Sequence, residues 1–114
     1  MYEAVAPWRA GLTLPLVHSS HLREDPEHFY LTQEVPATEA QRLGLTPNST
    51  THIQLLARHG AHALYQLHPI SGKRHQLRVH MAALGLPIRN DAFYPEVNDP
   101  PEGDFSRPLQ LLAR

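Results

Sequence analysis

Cysteine is absent from the sequence, which removes disulfide staples and thiolate-bound metal and fits a reducing compartment. Long apolar runs are missing too: none approaches the roughly 18 residues that a bilayer crossing needs, so no membrane partner is expected. The opening residues, MYEAVAPWRAG, lack the basic start and apolar body of a secretory signal, and cytoplasmic residence is the expectation. No internal repeat or low-complexity tract is present. The most informative scarcity is of negative charge in the middle of the chain. Between Ala40 and Asn90 there is no Asp or Glu, whereas Arg42, Arg58, Lys73, Arg74, Arg78 and Arg89 sum to +6. Six of the nine histidines lie in the same stretch, and all eleven acids lie in the flanks. A net charge of −1 therefore hides a segregation that favours an anionic partner.

What is present fits one domain. A chain of 114 residues, 41% apolar and 18% charged, buries roughly two-thirds of its unfolded surface. Met1 to Ala6 reads as a short strand stopped by Pro7. Leu12 to Val17 is an apolar run that Pro15 confines to an edge or bulge. His18 to Glu27 reads as a polar connector, and Phe29 to Val35 as a loosely alternating strand. Pro36 to Thr50, with Gly44, Pro47 and Asn48, reads as a long turn-rich connector, mobile in part. Thr51 to Arg58 and Ala61 to His68 alternate on either side of His59-Gly60, which predicts an antiparallel hairpin with one wet face. Gln76 to Leu84 places Leu77, His80, Met81 and Leu84 on one helical face; Gly85 supplies the stop and Pro87 forbids continuation. Tyr94 to Pro108 should be irregular, and Leu109 to Ala113 a final strand. The fold class is α+β: a mostly antiparallel sheet with a packed helix.

The chemistry concentrates in HPISGKRHQLRVHMAALGLPIRND, from His68 to Asp91. Lys73 and Arg74 stand at the start of the predicted helix, where cations oppose the helix dipole. Placed there, they reinforce an anion site built from free backbone N–H groups, and phosphate is the obvious anion. Arg78 lies one turn further, beside the apolar face, where a guanidinium needs a carboxylate or phosphate partner. No acid lies within helical reach before Asp91, so that partner is expected from elsewhere. His75 and His80 do not stand four apart on one face and no Glu accompanies them as in H-E-x-x-H, so no metal is expected.

HPISGKRHQLRVHMAALGLPIRNDAFYPE closely resembles the signature of the RluA-type RNA pseudouridine synthases, P-x-T-G-R-x-H-Q-I-R-V-H-x-x-x-x-G-x-P-I-x-x-D-x-x-Y. Ser71 stands for Thr, Lys73 for Arg and Leu77 for Ile. Tyr2-Glu3-Ala4 resembles the family's Y-x-A strand, and RPLQLLA the start of a later one. The resemblance implies isomerisation of uridine to pseudouridine in structured rRNA or tRNA, by detaching, turning and rejoining the base without a cofactor. It gives Arg78 the part of ion-pair partner to the catalytic aspartate and Tyr2 that of a base-stacking tyrosine placed to assist proton removal. It places Lys73, Arg74, His75 and Gln76 against RNA or under the site floor.

One departure matters. The family's nucleophilic aspartate belongs to an H-R-L-D-x-x-T-S-G motif upstream of the Y-x-A strand, and no such run occurs in these residues. Asp25 has none of the surrounding pattern. The expectation is therefore that residues 1–114 form the C-terminal portion of a single synthase catalytic domain, inactive alone, with open strand edges that favour self-association. Two other readings stand beside it: a non-catalytic RNA-binding module, and a structural domain with an incidental basic patch.

Overall fold

The computed structural model of the chain describes residues 1–95, 97 and 108–114. Eight elements follow one another: β1 (Tyr2–Pro7), β2 (Leu16–Glu24), β3 (Thr32–Val35), α1 (Ala37–Leu43), β4 (Ser49–His59), β5 (His62–Pro69), α2 (Gln76–Ala83) and β6 (Leu111–Ala113). The strands form one six-stranded sheet in the order β3-β2-β4-β5-β1-β6, and every neighbouring pair is antiparallel.

Alternation decides which face is buried. Ala4 and Ala6 of β1, Ile53 of β4, and Ala63, Tyr65 and Leu67 of β5 point to one side and form a cluster with Leu77 and Met81 of α2 and with Leu86 and Ile88. The small alanines leave room there for Tyr65, Met81 and Ile88. Tyr65 is fully buried, and its hydroxyl donates to the Pro7 carbonyl at 2.7 Å, so no polar atom is stranded. The predicted hairpin is present, with His62 opposite His59 and a bulge between Leu55 and Ala57. Its far end runs past the core: Leu55 and Leu56 are exposed, and Arg58 covers the Trp8 ring at 3.5 Å. The α2 stop is also as expected. Gly85 adopts φ 76°, its N–H bonds Ala82 O at 3.0 Å, and the next N–H, of Leu86, bonds Met81 O at 2.9 Å. This pair of reversed bonds closes the helix and sends the chain back across β1.

Two expectations need correction. His18 to Glu27 is no connector: most of it lies in β2, which sits between β3 and β4 and is not an edge. The reason is that the inward positions of β2 include His18 and Ser20, which meet polar partners, so the hydrophobic period is missing. The stretch after Pro36 holds α1, closed by Gly44 at φ 70°. Beyond it Asn48 acts as an extra strand residue, accepting from Leu22 N at 2.8 Å and donating to Leu22 O at 2.9 Å. The expected strand from Phe29 shortens to β3, and the final one to β6. Most of the stretch expected to be irregular, Glu96 and 98–107, lies outside the described residues.

Candidate active site

Between β5 and α2 the chain passes through Ser71, Gly72, Lys73 and Arg74, and it enters the helix through His75 at φ 55°. A left-handed histidine is uncommon, and strain of this kind clusters at functional sites. Gln76 explains how the turn is held. Its carbonyl oxygen accepts from Ser71 Oγ at 2.9 Å and Lys73 N at 3.2 Å; its amide donates to Thr50 O at 2.9 Å and Thr51 Oγ1 at 3.0 Å. All four hydrogen-bonding positions of a buried amide are thereby filled, and the turn is tied to β4. Gln76 is thus a brace beneath the site, with no group left to offer a ligand.

The turn, α2 and the first residue of β1 enclose a cleft of about 280 Å³ lined by Tyr2, Ser71, Lys73, His75, Gln76 and Arg78, among others. The catalytic and RNA-contacting candidates picked from the sequence converge here, with one exception. Arg74 faces away: its Nη1 donates to Phe29 O at 3.2 Å, and it lines a separate groove that shares only Lys73 with the cleft.

The partner of Arg78 comes from beyond the helix, as expected, and it is Asp91, on the segment that returns after Gly85. The Arg78 Nε and Nη2 grip its carboxylate at 3.0 and 2.6 Å, a two-point fork. The Asp91 side chain is 1% exposed and that of Arg78 16%. Asp91 Oδ1 also accepts from the backbone N–H groups of Phe93 and Tyr94 at 2.9 and 3.1 Å. The guanidinium lies 5.0 Å from the Phe93 ring centre and 5.3 Å from that of Tyr94. Asp91 is out of reach along α2 and is carried back by the Gly85 turn. Bonds from Arg89 N to Val5 O and from Gln110 N to Arg89 O pin that return against β1. Two sequence signals marked it: Asp91 is the first acid after the acid-free stretch, and it stands at the D of the quoted signature.

His75 is held by Tyr94, whose hydroxyl accepts from Thr32 N at 2.8 Å and is hydrogen-bonded to His75 Nδ1 at 2.8 Å. Burial, with the cations Arg78 and Arg74, lowers the His75 pKa; nearby Asp91 opposes this only partly.

His80 does something different from the apolar packing its spacing suggests. It is fully buried, and its Nδ1 takes the Thr51 hydroxyl at 2.8 Å. Its Nε2 lies 2.9 Å from Ser20 Oγ and 3.1 Å from Ser49 Oγ. Ser49 spends its proton on Ser20 O, so Nε2 is the donor in this knot. Burial, aided by His18, pushes the His80 pKa down to about 4, with Glu34 pulling the other way. The knot joins α2 to β2 and β4 beneath the turn.

Comparison with known proteins agrees with this arrangement. The family model described as RNA pseudouridylate synthase matches residues 16–83. The dual-specificity RNA pseudouridine synthase RluA of Escherichia coli is 52% identical over 107 residues, 94% of this chain and 42% of that protein. The protein of the same description from Vibrio cholerae is 43% identical over 67 residues, 58% of this chain and 26% of that protein. The structure of human RNA pseudouridylate synthase domain containing 1 superposes with a TM-score of 0.70 at 25% identity, covering 96% of this chain and 45% of that one. A second human structure, RNA pseudouridylate synthase domain containing 4, shares the fold at a TM-score of 0.61 and 22% identity, over 99% of this chain and 50% of that one. The chain thus spans at most half the length of these relatives. With the signature turn, its braced floor and the forked arginine in one cleft, the chain belongs to the RNA pseudouridylate synthase family, among its RluA-type members.

Proposed function

We propose that the cleft receives the target uridine of a structured rRNA or tRNA for isomerisation to pseudouridine in the full-length synthase. The observation that carries this reading is the convergence of Tyr2, Lys73 and Arg78 on one cleft, with the guanidinium of Arg78 fixed by Asp91. In this reading Tyr2 stacks on the base and assists proton removal, while Lys73 meets phosphate. Arg78 supports the nucleophilic aspartate of an H-R-L-D motif, and Gln76 holds the floor. The target leaves its stack to reach the cleft, at a cost of a few kcal/mol that backbone contacts offset.

The same reading makes residues 1–114 the C-terminal portion of one catalytic domain, working in the cytoplasm. Asp25 is not among the residues that line the cleft, and its Oδ1 accepts from the N–H groups of Glu27 and His28 at 2.8 and 3.2 Å. Incubation with rRNA and tRNA, read by carbodiimide-primed reverse-transcription stops, should show pseudouridine from the full-length protein and none from the 114-residue chain. Turnover by the purified chain, free of host synthases, would remove the inactive-fragment reading. A second reading, a non-catalytic RNA-binding module, predicts no product from either protein.

Binding has its own test. Lys73→Ala should weaken RNA binding and reduce the slope of log affinity against log salt by about one unit, as loss of one phosphate contact does. Affinity that ignores salt would sink the RNA reading. The outer edge of β6, with Leu112 exposed, favours self-association of the chain. Sedimentation velocity should show a dimer that Leu112→Lys dissociates; a monomer at every concentration would refute it.

A further inference from the structure

We propose that the groove on the far side of Lys73 seats the nucleotide flanking the target uridine, with Phe29 as the platform on which its base stacks. This inference rests on the RNA reading above. Lys73 is the shared wall: on one side is the cleft, on the other a groove of about 270 Å³ lined by Leu22, Arg23, Leu31, Thr32 and Arg74, with Glu24 as its acid. A space of that size falls below the roughly 300–1,000 Å³ of drug-sized ligand sites and suits a single base. A strand leaving the cleft across Lys73 would carry its next phosphate past Arg74 and its next base into this groove.

Phe29 precedes the groove's Leu31 by two residues and is 74% exposed. An isolated exposed phenylalanine needs no explanation, but this one is connected. The Arg74 guanidinium donates to its carbonyl at 3.2 Å, which fixes the loop against the basic turn. Its ring meets Tyr30 with centroids 5.7 Å apart, Tyr30 meets Phe93 at 5.7 Å, and Phe93 lies under Arg78 at 5.0 Å. A continuous aromatic path thus runs from the exposed ring to the cleft. The loop does not need the Phe29 side chain for its shape. Asp25 caps it through Glu27 and His28, and backbone bonds join Asp25 N to Leu31 O and Leu31 N to His28 O. Arg23 is drawn aside, its Nε donating to Gln33 at 2.9 Å and its Nη2 3.7 Å from Glu39, so Lys73 and Arg74 are the cations left to meet phosphate. Exposed rings interleaved with cations are the usual stacking surface for single-stranded RNA, tolerant of base identity.

The test is fluorescence anisotropy of the full chain with a labelled RNA hairpin carrying an all-uridine loop. Base–aromatic stacking of about 1–3 kcal/mol predicts that Phe29→Ala raises Kd roughly 5- to 150-fold. The salt slope should stay unchanged, because no phosphate contact is lost. Phe29→Trp should restore binding. Both variants should melt like the parent chain, because the ring is exposed. If Phe29→Ala binds like the parent while Lys73→Ala weakens binding, the flanking-base site is overturned and the proposed function stands. If neither change alters binding, the RNA reading falls and this inference falls with it.

Discussion

Arg78→Ala should abolish turnover in the full-length enzyme and also cost about 3–5 kcal/mol of stability, because it leaves a buried carboxylate without its cation. Asp91 keeps its two backbone N–H donors, which places the loss at the lower end of that range. The alanine variant alone therefore confounds chemistry with folding. Arg78→Lys separates them. Lysine keeps the charge but cannot form the two-point fork, so the fold should survive while turnover drops by roughly 100-fold or more. The double variant Arg78→Met with Asp91→Asn removes both charges and retains an oxygen for the Phe93 and Tyr94 N–H groups. It should recover most of the lost stability and none of the activity, since a buried pair can be replaced by neutral groups at little net cost. Urea denaturation read beside pseudouridine formation checks all three. Full activity in Arg78→Lys would remove Arg78 from the catalytic role.

Acidification from pH 6.5 toward 4 should destabilise the fold by about 3 kcal/mol through His80 alone, since its pKa falls from 6.5 to about 4 on folding and one unit is worth 1.36 kcal/mol. The sign follows from proton counting. Between these values the unfolded chain binds the proton that the folded chain refuses, so stability is complete above pH 6.5 and is lost as pH falls. His75, also lowered, acts in the same direction below 6.5. Glu34 adds a loss below its ordinary 4.5: burial raises its pKa, but the hydrogen bond and charge of His18, with Ser20 and His80, outweigh that. His80→Gln, which keeps a donor near Ser20 and Ser49, should unfold more easily at pH 7 yet lose most of the slope between 6.5 and 4. Urea midpoints measured across that range decide it. A parent protein equally stable at pH 7 and pH 5 would mean that His80 gains its proton without opening the knot.

Residue period made some elements legible and hid others. The β4–β5 hairpin and α2 could be read because Ala63, Tyr65 and Leu67, and Leu77 and Met81, repeat with the period of the structure they enter and end up buried. Gly85 marked its own turn. β2 could not be read this way, because half of its inward face serves the His80 knot. α1 was hidden for a simpler reason: it has no buried residue, so no apolar stripe exists to betray it. In the site, the resemblance pointed to Tyr2, Lys73, His75, Gln76 and Arg78, and the structure brings all five to one cleft. Gln76, read as facing RNA or supporting the floor, is hydrogen-bonded beneath the cleft; Arg74 was grouped with Lys73 and turns the other way, toward Phe29.

Local order along the chain, with its acid-free stretch and its turn residues, determined the family, the antiparallel sheet, the packed helix and the place where anions would be met. The family follows from the signature between Pro69 and Tyr94; the rest follows from periodicity, backbone preference and charge, all of which act between near neighbours. Tertiary structure alone decided that Asp91 holds Arg78, that His80 is buried among Ser20, Ser49 and Thr51 and kept neutral by that burial, and that Tyr2 reaches the cleft from the other end of the chain. Each of these joins residues 13 or more apart in sequence. Whether two such groups meet depends on the turn at Gly85 and the register of the sheet, and neither can be computed from the identities of the groups themselves.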